Sequence, residues 1–321
     1  MSEKLEDLLS FYCGIDFGTV NISTGEKSFC LELSNEIVGL CRSLPEPVQI
    51  DAFFFLMKYL ATPFGQPFNF FKNYYAPAWS IIYWLIQFAS ERNTLKPKDK
   101  QHSKLAHSMA LFLHPFDDHL NDNELPATHL TLLLRSQAWM LMHKALNCLA
   151  ARSKGKKAVV QRYIEDYYCS VTRPKRFLSL DGYCEFFRKQ MATWFIVPTL
   201  ITKNMAVGED LSSAVQTAYG SFGISWRLLD DIQDIKADMI KGMHSAIYTI
   251  LPEKIKYHWD KEAEDKDSRS VRIILEYILE NGAIEKIKAR ICRELESAAS
   301  IAEAHKITRW ADQMRCLMRP L

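Results

Sequence analysis

Apolar residues recur at intervals of three and four along most of this chain. Leu130, Leu133, Leu134, Met140 and Leu141 form one such stripe, and Ile273, Ile274, Tyr277 and Ile278 form another. That is the period of a helix with one face in a core. Alternating β-branched runs are few, and only 12 Gly and 12 Pro punctuate 321 residues. The pattern predicts an all-α protein. Breaks fall at Leu44–Pro47, Asn93–Lys100, Asn121–Pro126, Ser153–Lys157, Gly208–Asp210 and Glu262–Ser268, with Asp210 expected to cap the helix that follows it. No long linker and no solenoid period appears. Residues 1–321 therefore read as one helical domain.

Charge and cysteine usage narrow the classes. A formal net charge of +2 gives no bulk surface for nucleic acid, and the basic clusters Lys96–Lys104 and Arg152–Lys157 read as solvated loops. Eight scattered cysteines show neither a paired spacing nor a zinc pattern, and read as reduced core thiols. The N-terminus lacks the basic-then-apolar order of a secretory signal. The apolar run Ala76–Ala89 contains Pro77 and Gln87 and is too short to span a bilayer. A cytoplasmic protein without nucleic-acid partner or transmembrane segment is expected.

The stretch Tyr219–Asp238, YGSFGISWRLLDDIQDIKAD, carries the chemistry. On a helix, Asp234 lies about 40° and Asp238 about 80° around from Asp230. Trp226, Phe222 and Tyr219 occupy the same face, so carboxylates cap an aromatic stripe. Clustered, partly buried carboxylates repel one another unless a cation neutralises them, and oxygen ligands suit a hard divalent ion. A second cluster, Phe116-Asp117-Asp118-x-x-x-Asp122, also follows an apolar run. Pro115, two residues before Asp117, predicts a kink or the start of a new segment there. Two aspartate clusters facing each other across a cavity suit ionisation of a diphosphate ester, with an apolar pocket for the hydrocarbon.

With these motifs the chain resembles a class I terpene synthase of the isoprenoid synthase superfamily, which also contains the prenyl diphosphate synthases. Phe116-Asp117-Asp118-x-x-x-Asp122 is similar to the family's first motif, and Asp230-Asp231-x-x-Asp234-x-x-x-Asp238 to its second, with Asp where Glu usually closes it. Tyr183-x-x-x-x-Arg188, about forty residues upstream of Asp230, resembles the cyclases' diphosphate-sensing segment, and Arg309-Trp310 their Arg-Tyr pair. Lys241 resembles the lysine that prenyl synthases place on the same diphosphate. The resemblance implies Mg²⁺, about three ions with Mn²⁺ as a substitute, held by Asp117, Asp118, Asp122, Asp230, Asp234 and Asp238. It implies Arg188, Lys241 and Arg309 on the diphosphate, and catalytic roles for Arg188, Asp117 and Asp230. Phe116, Phe222 and Trp226 are expected to line the cavity, and a homodimer is common in the superfamily.

The arginine pair and Gly-Lys-x-Arg segment with which elongating synthases hold a second diphosphate have no counterpart; no arginine follows Asp122 until Arg135. The expectation is therefore cyclisation of farnesyl or geranylgeranyl diphosphate to a terpene hydrocarbon or alcohol. Condensation with isopentenyl diphosphate is the alternative, and a non-catalytic prenyl-binding protein the second. A His-Asp phosphohydrolase, suggested by His102, His107, His114 and Asp117, ranks below them, because the adjacent pair here is Asp118-His119 in reversed order.

Overall fold

Sixteen helices, and no strand, make up the described residues of the computed structural model. These residues are 3–63, 65–151, 155–172, 177–205, 208–265 and 268–321. In chain order the helices are α1 (Glu3–Cys13), α2 (Thr24–Arg42), α3 (Glu46–Tyr59), α4 (Pro77–Glu91), α5 (Pro97–Asn121), α6 (His129–Ala150), α7 (Lys156–Val171) and α8 (Leu180–Gln190). They continue with α9 (Ala192–Asn204), α10 (Gly208–Gln233), α11 (Ile235–Lys241), α12 (Ala246–Ile250), α13 (Glu253–Asp265), α14 (Ser268–Glu280), α15 (Ala283–Ala304) and α16 (Thr308–Met318). Fold class follows the sequence pattern: with no strand among the described residues, the apolar stripes at helical period are buried against other helices.

Local chemistry sets most boundaries. Ser23 caps α2 in a reciprocal capping box with Glu26, and Thr128 caps α6 with Thr131. Pro77 and Pro97 stand at first helical positions, where a missing N–H costs nothing. Tyr75 consequently precedes α4, which separates it from Trp79 and Tyr83. Asp210 lies inside α10, which starts at Gly208, so it is no N-cap. Of the break expected at 153–157, residues 153 and 154 lie outside the described residues, as do 266 and 267 of the break at 262–268.

Pro115 does not end α5, which runs on to Asn121. A proline there has no N–H for the carbonyl four residues back, Leu111. The hydroxyl of Tyr74 donates to that carbonyl at 2.8 Å, so a tertiary contact repairs the ladder.

Helix α10 is the central element: it packs against α15 and α9 and also meets α1, α4, α8, α11 and α12. Its aromatic stripe is buried, with Tyr219 and Phe222 stacked on one another and both packed edge-on against Trp310 of α16. The chain between α1 and α2 forms a strap near the carboxylate end of α10. Gln233 donates to the Ile15 carbonyl, and the Tyr75 hydroxyl to Asp16 at 2.5 Å. The strap then meets α16, where Gly18 donates to Leu317 O at 3.0 Å. A side chain at Gly18 would collide with the Cys316 carbonyl oxygen. Gly18→Ala should therefore lift the strap while leaving the helices folded, and limited proteolysis should cut the variant between α1 and α2 faster than the wild type.

Candidate active site

The local geometry of α10 and α11 presents the second motif as one row. The amide of Asp234 donates to Asp230 O at 2.8 Å and that of Asp238 to Asp234 O at 2.9 Å, so helical bonding runs through the α10–α11 junction. Opposite, α5 brings Asp118 into contact with the same space. Its end turns at Asn123, whose φ of 58° is the left-handed conformation that asparagine tolerates. That turn brings Glu124 back beside His119, and Lys241 reaches Glu124 Oε1 at 2.6 Å. Lys241 is thus an exposed bridge between the ends of the two motifs.

Two hollows adjoin here. The first, about 200 Å³, is walled by Tyr74, His114, Phe187, Met191, Trp194 and Trp226, with Asp118, Arg227 and Asp230 among its lining residues. The second, about 320 Å³, is the polar one, lined by Asp117, Asp118, Asn121, Asp122, Gln190 and Arg227. His114, Asp118, Phe187 and Arg227 belong to both. An aromatic chamber and a carboxylate chamber therefore share one boundary. Met191, in the break between α8 and α9, lies against Gly223, where any Cβ would collide with its sulfur.

Arg227 is the cation of this boundary, and the sequence reading missed it. Its guanidinium donates to the Tyr183 hydroxyl at 2.7 Å, lies 3.3 Å from Asp230 Oδ2 and pairs with buried Asp231 Oδ1 at 3.0 Å. The signal was available as spacing: Arg227 precedes Asp230 and Asp231 by three and four residues, the helical neighbour distances. Asp231 also accepts from the Ala246 amide at 2.8 Å, fixing the α11–α12 turn to α10. Asp231 is accordingly a structural carboxylate.

Burial dominates the electrostatics of the remaining acids. It pushes Asp230 up to about 6, opposed by Arg227 and reinforced by Asp231, Asp234 and Asp118. Asp238 is pushed up to about 7, by burial first and by Asp231 next. Asp234 is raised for the same leading reason. Asp238 Oδ2 is buried without a hydrogen-bond partner. Such a row is short of positive charge, and this donor set fits divalent cations. Among the described residues no group of three or more His, Cys, Asp or Glu side chains is placed to hold a metal ion by itself. Mg²⁺ takes one or two carboxylates and completes its shell with water and phosphate oxygens.

Other expected site residues lie elsewhere. Asp117 is buried and accepts from Arg135 and Tyr167, which occupies the oxygens a metal would use. Arg188 lines neither hollow; it pairs with Glu294 at 3.4 Å and neighbours Gly220, about 15 Å along α10 from Asp230. Arg309 is exposed on α16 beside Trp84 and Glu26, in a separate hollow. Phe116 is packed among Phe55, Tyr59 and Phe112, and Phe222 against Tyr219 and Trp310; neither lines the two chambers. Trp226 does. His107 is a core residue bonded to Ala78 O. The common reason is that motif spacing fixes a position along a helix, whereas helix rotation and neighbours fix what the side chain meets.

Comparison with solved structures adds an independent finding. Geranylgeranyl pyrophosphate synthetase from Pyrococcus horikoshii OT3 superposes with a TM-score of 0.66 at 14% identity, over 98% of this chain and 99% of that one. The fold is that of the isoprenoid synthases. Heptaprenyl diphosphate synthase from Staphylococcus aureus matches at 0.65 and 9% identity, over 90% and 97% of the two chains. Geranylgeranyl pyrophosphate synthase from Corynebacterium glutamicum, complexed with isoprenyl diphosphate and magnesium, matches at 0.61 and 12%, over 94% and 99%. No family model matches the chain, and no curated protein matches it by sequence. These neighbours are prenyl diphosphate synthases, so the expectation of a cyclase is not what the isoprenoid synthase fold by itself supports. No helix among the described residues is long and apolar enough to cross a membrane.

Two outcomes follow from the electrostatics. Folded-state values raised to about 6 and 7 mean the native chain holds protons that the unfolded chain releases near pH 4. This contribution to stability is present below pH 4 and lost as pH rises through about 7. Metal-free wild type should show a steeper fall in Tm between pH 5 and 8 than Asp238→Asn, and Mg²⁺ should flatten it; parallel melting curves would refute the assignment. Arg227→Met should cost about 3–5 kcal/mol in urea unfolding, because it strands the buried Asp231 charge.

Proposed function

We propose that the protein acts on a linear allylic prenyl diphosphate and breaks its allylic carbon–oxygen bond. One observation carries this reading: α5 and α10 bring Asp118 and Asp230 to one hollow whose wall is aromatic. Asp118, Asp122, Asp230, Asp234 and Asp238 would hold Mg²⁺, which when bound supplies positive charge against the departing diphosphate. Arg227 faces the same oxygens from the boundary of the chambers. Trp226, Trp194, Tyr74 and Phe187 supply aromatic faces, worth about 0.5–2 kcal/mol each to a cation and offering no nucleophile.

The cation has two possible fates. The neighbours' named activities favour prenyl transfer, in which the double bond of isopentenyl diphosphate attacks the allylic carbon and a proton leaves. Cyclisation within one substrate is favoured by a different observation: among the described residues, Arg227 is the one Lys or Arg lining either chamber. Among the described residues a second diphosphate has no dedicated cation in these chambers.

Purified protein with Mg²⁺ and geranyl, farnesyl or geranylgeranyl diphosphate, with and without isopentenyl diphosphate, separates the two. Longer prenyl diphosphates formed only with isopentenyl diphosphate establish transfer; a cyclic hydrocarbon or alcohol formed without it establishes cyclisation. No diphosphate release from any substrate would overturn the proposal. Asp230→Asn should lower release by about 100-fold or more at unchanged helical content.

A further inference from the structure

Asp117 opens the first motif, yet three helices meet on its carboxylate. Arg135 of α6 donates from Nε to Oδ1 at 2.7 Å and from Nη2 to Oδ2 at 3.0 Å, a parallel fork. Tyr167 of α7 donates its hydroxyl to Oδ2 at 2.7 Å. The ring of Tyr167 is in turn held against Trp139, one turn beyond Arg135 on α6, at 5.6 Å. Asp117 is 5% exposed, so little of it meets the polar chamber. A carboxylate has about four acceptor sites, and three are taken here. A divalent ion on Asp117 would also stand beside the Arg135 guanidinium, which repels it.

The next residue behaves differently. Asp118 lies about 100° further around α5 and lines both chambers, near enough to Asp230 to raise its proton affinity. Asp122 follows Asp118 by four residues and lines the polar chamber on the same side. Asp117, Asp118 and Asp122 all border the polar chamber, but the hydrogen bonds from Arg135 and Tyr167 tie the Asp117 carboxylate to α6 and α7.

We infer that Asp117 is a positioning residue, whose fork with Arg135 and Tyr167 turns α5 so that Asp118 and Asp122 take the divalent ions and Asp117 takes none. The inference rests on the reading of this site as a divalent-cation and diphosphate site. It assigns the first wall of that site to two carboxylates four residues apart, a spacing matched by Asp230, Asp234 and Asp238 opposite.

The test is Mn²⁺ binding to the full chain in the presence of inorganic diphosphate, followed by electron paramagnetic resonance. Asp117→Asn should bind the same number of ions as wild type, about tenfold more weakly, as expected when a partner that orients ligands is lost. Its bound-Mn²⁺ line shape should differ from wild type, because the ligands are displaced. Tyr167→Phe, which removes one of the three hydrogen bonds on Asp117 and keeps the Arg135 pair, should shift the line shape in the same direction and keeps the test open should Asp117→Asn misfold. Asp118→Asn should lose at least one ion. Loss of an ion in Asp117→Asn would make Asp117 a ligand and overturn the inference alone. Unchanged affinity and line shape in both Asp117→Asn and Tyr167→Phe would reduce the fork to a structural contact and also overturn it. Absence of any bound Mn²⁺ in wild type would overturn the site reading and this inference together.

Discussion

Carboxylates crowded into a poorly hydrated groove are the constraint around which this protein is organised. Burial, with Asp231, Asp234 and Asp118 beside it, raises the proton affinity of Asp230, and burial with Asp231 and Asp234 raises that of Asp238. Arg227 is the counter-charge at the boundary, and buried Asp231 and Tyr183 already engage it. Asp238 is the buried member of the row, while Asp230 is half-buried beside Arg227 and Asp234 is exposed, so the stability cost of an unpaired buried acid falls on Asp238. The surrounding aromatic scaffold must be rigid enough to keep those groups together in spite of it.

That scaffold is α10 with its neighbours. Tyr219 and Phe222 belong to the packed core with Trp310, while Trp226, one turn nearer the acids, faces the chamber beside Trp194 and Tyr74. One helix face is thus divided along its length: buried packing first, then cavity wall, then carboxylates. Tyr74 joins two of these tasks, because its hydroxyl repairs the α5 ladder at Leu111 while its ring lines the cavity ahead of the first motif. Shape at the chamber and continuity of the helix carrying Asp118 consequently depend on the same residue.

Closure of the site is shared between distant parts of the chain. The strap at Ile15–Gly18 bonds both to Gln233 within the second motif and to the end of α16. Lys241 bridges to Glu124, joining the ends of the two motifs at the rim. Both contacts are polar and partly or wholly exposed, so each is weaker than the aromatic packing beneath it. The acids are held firmly from below and loosely at the mouth, an arrangement that lets a charged ligand reach them.

The helical period of apolar residues by itself determined the fold class, and the two aspartate clusters by themselves determined where to look for chemistry. Both are local: a stripe and an i, i+4 row depend only on the pitch of a helix. Trp226 and Asp230 were placed on one face from such spacing, and both line the aromatic chamber. Tertiary structure alone decided that α5 continues through Pro115, since the donor that repairs it comes from Tyr74. It decided that the Asp117 carboxylate is bonded to Arg135 and Tyr167 while Asp118 borders both chambers, since helix rotation is set by neighbouring helices. It decided that Arg227, not Arg188 or Arg309, stands among the acids. Spacing along a chain measures distance on one helix; which charges meet across a cavity depends on how separate helices are turned toward each other.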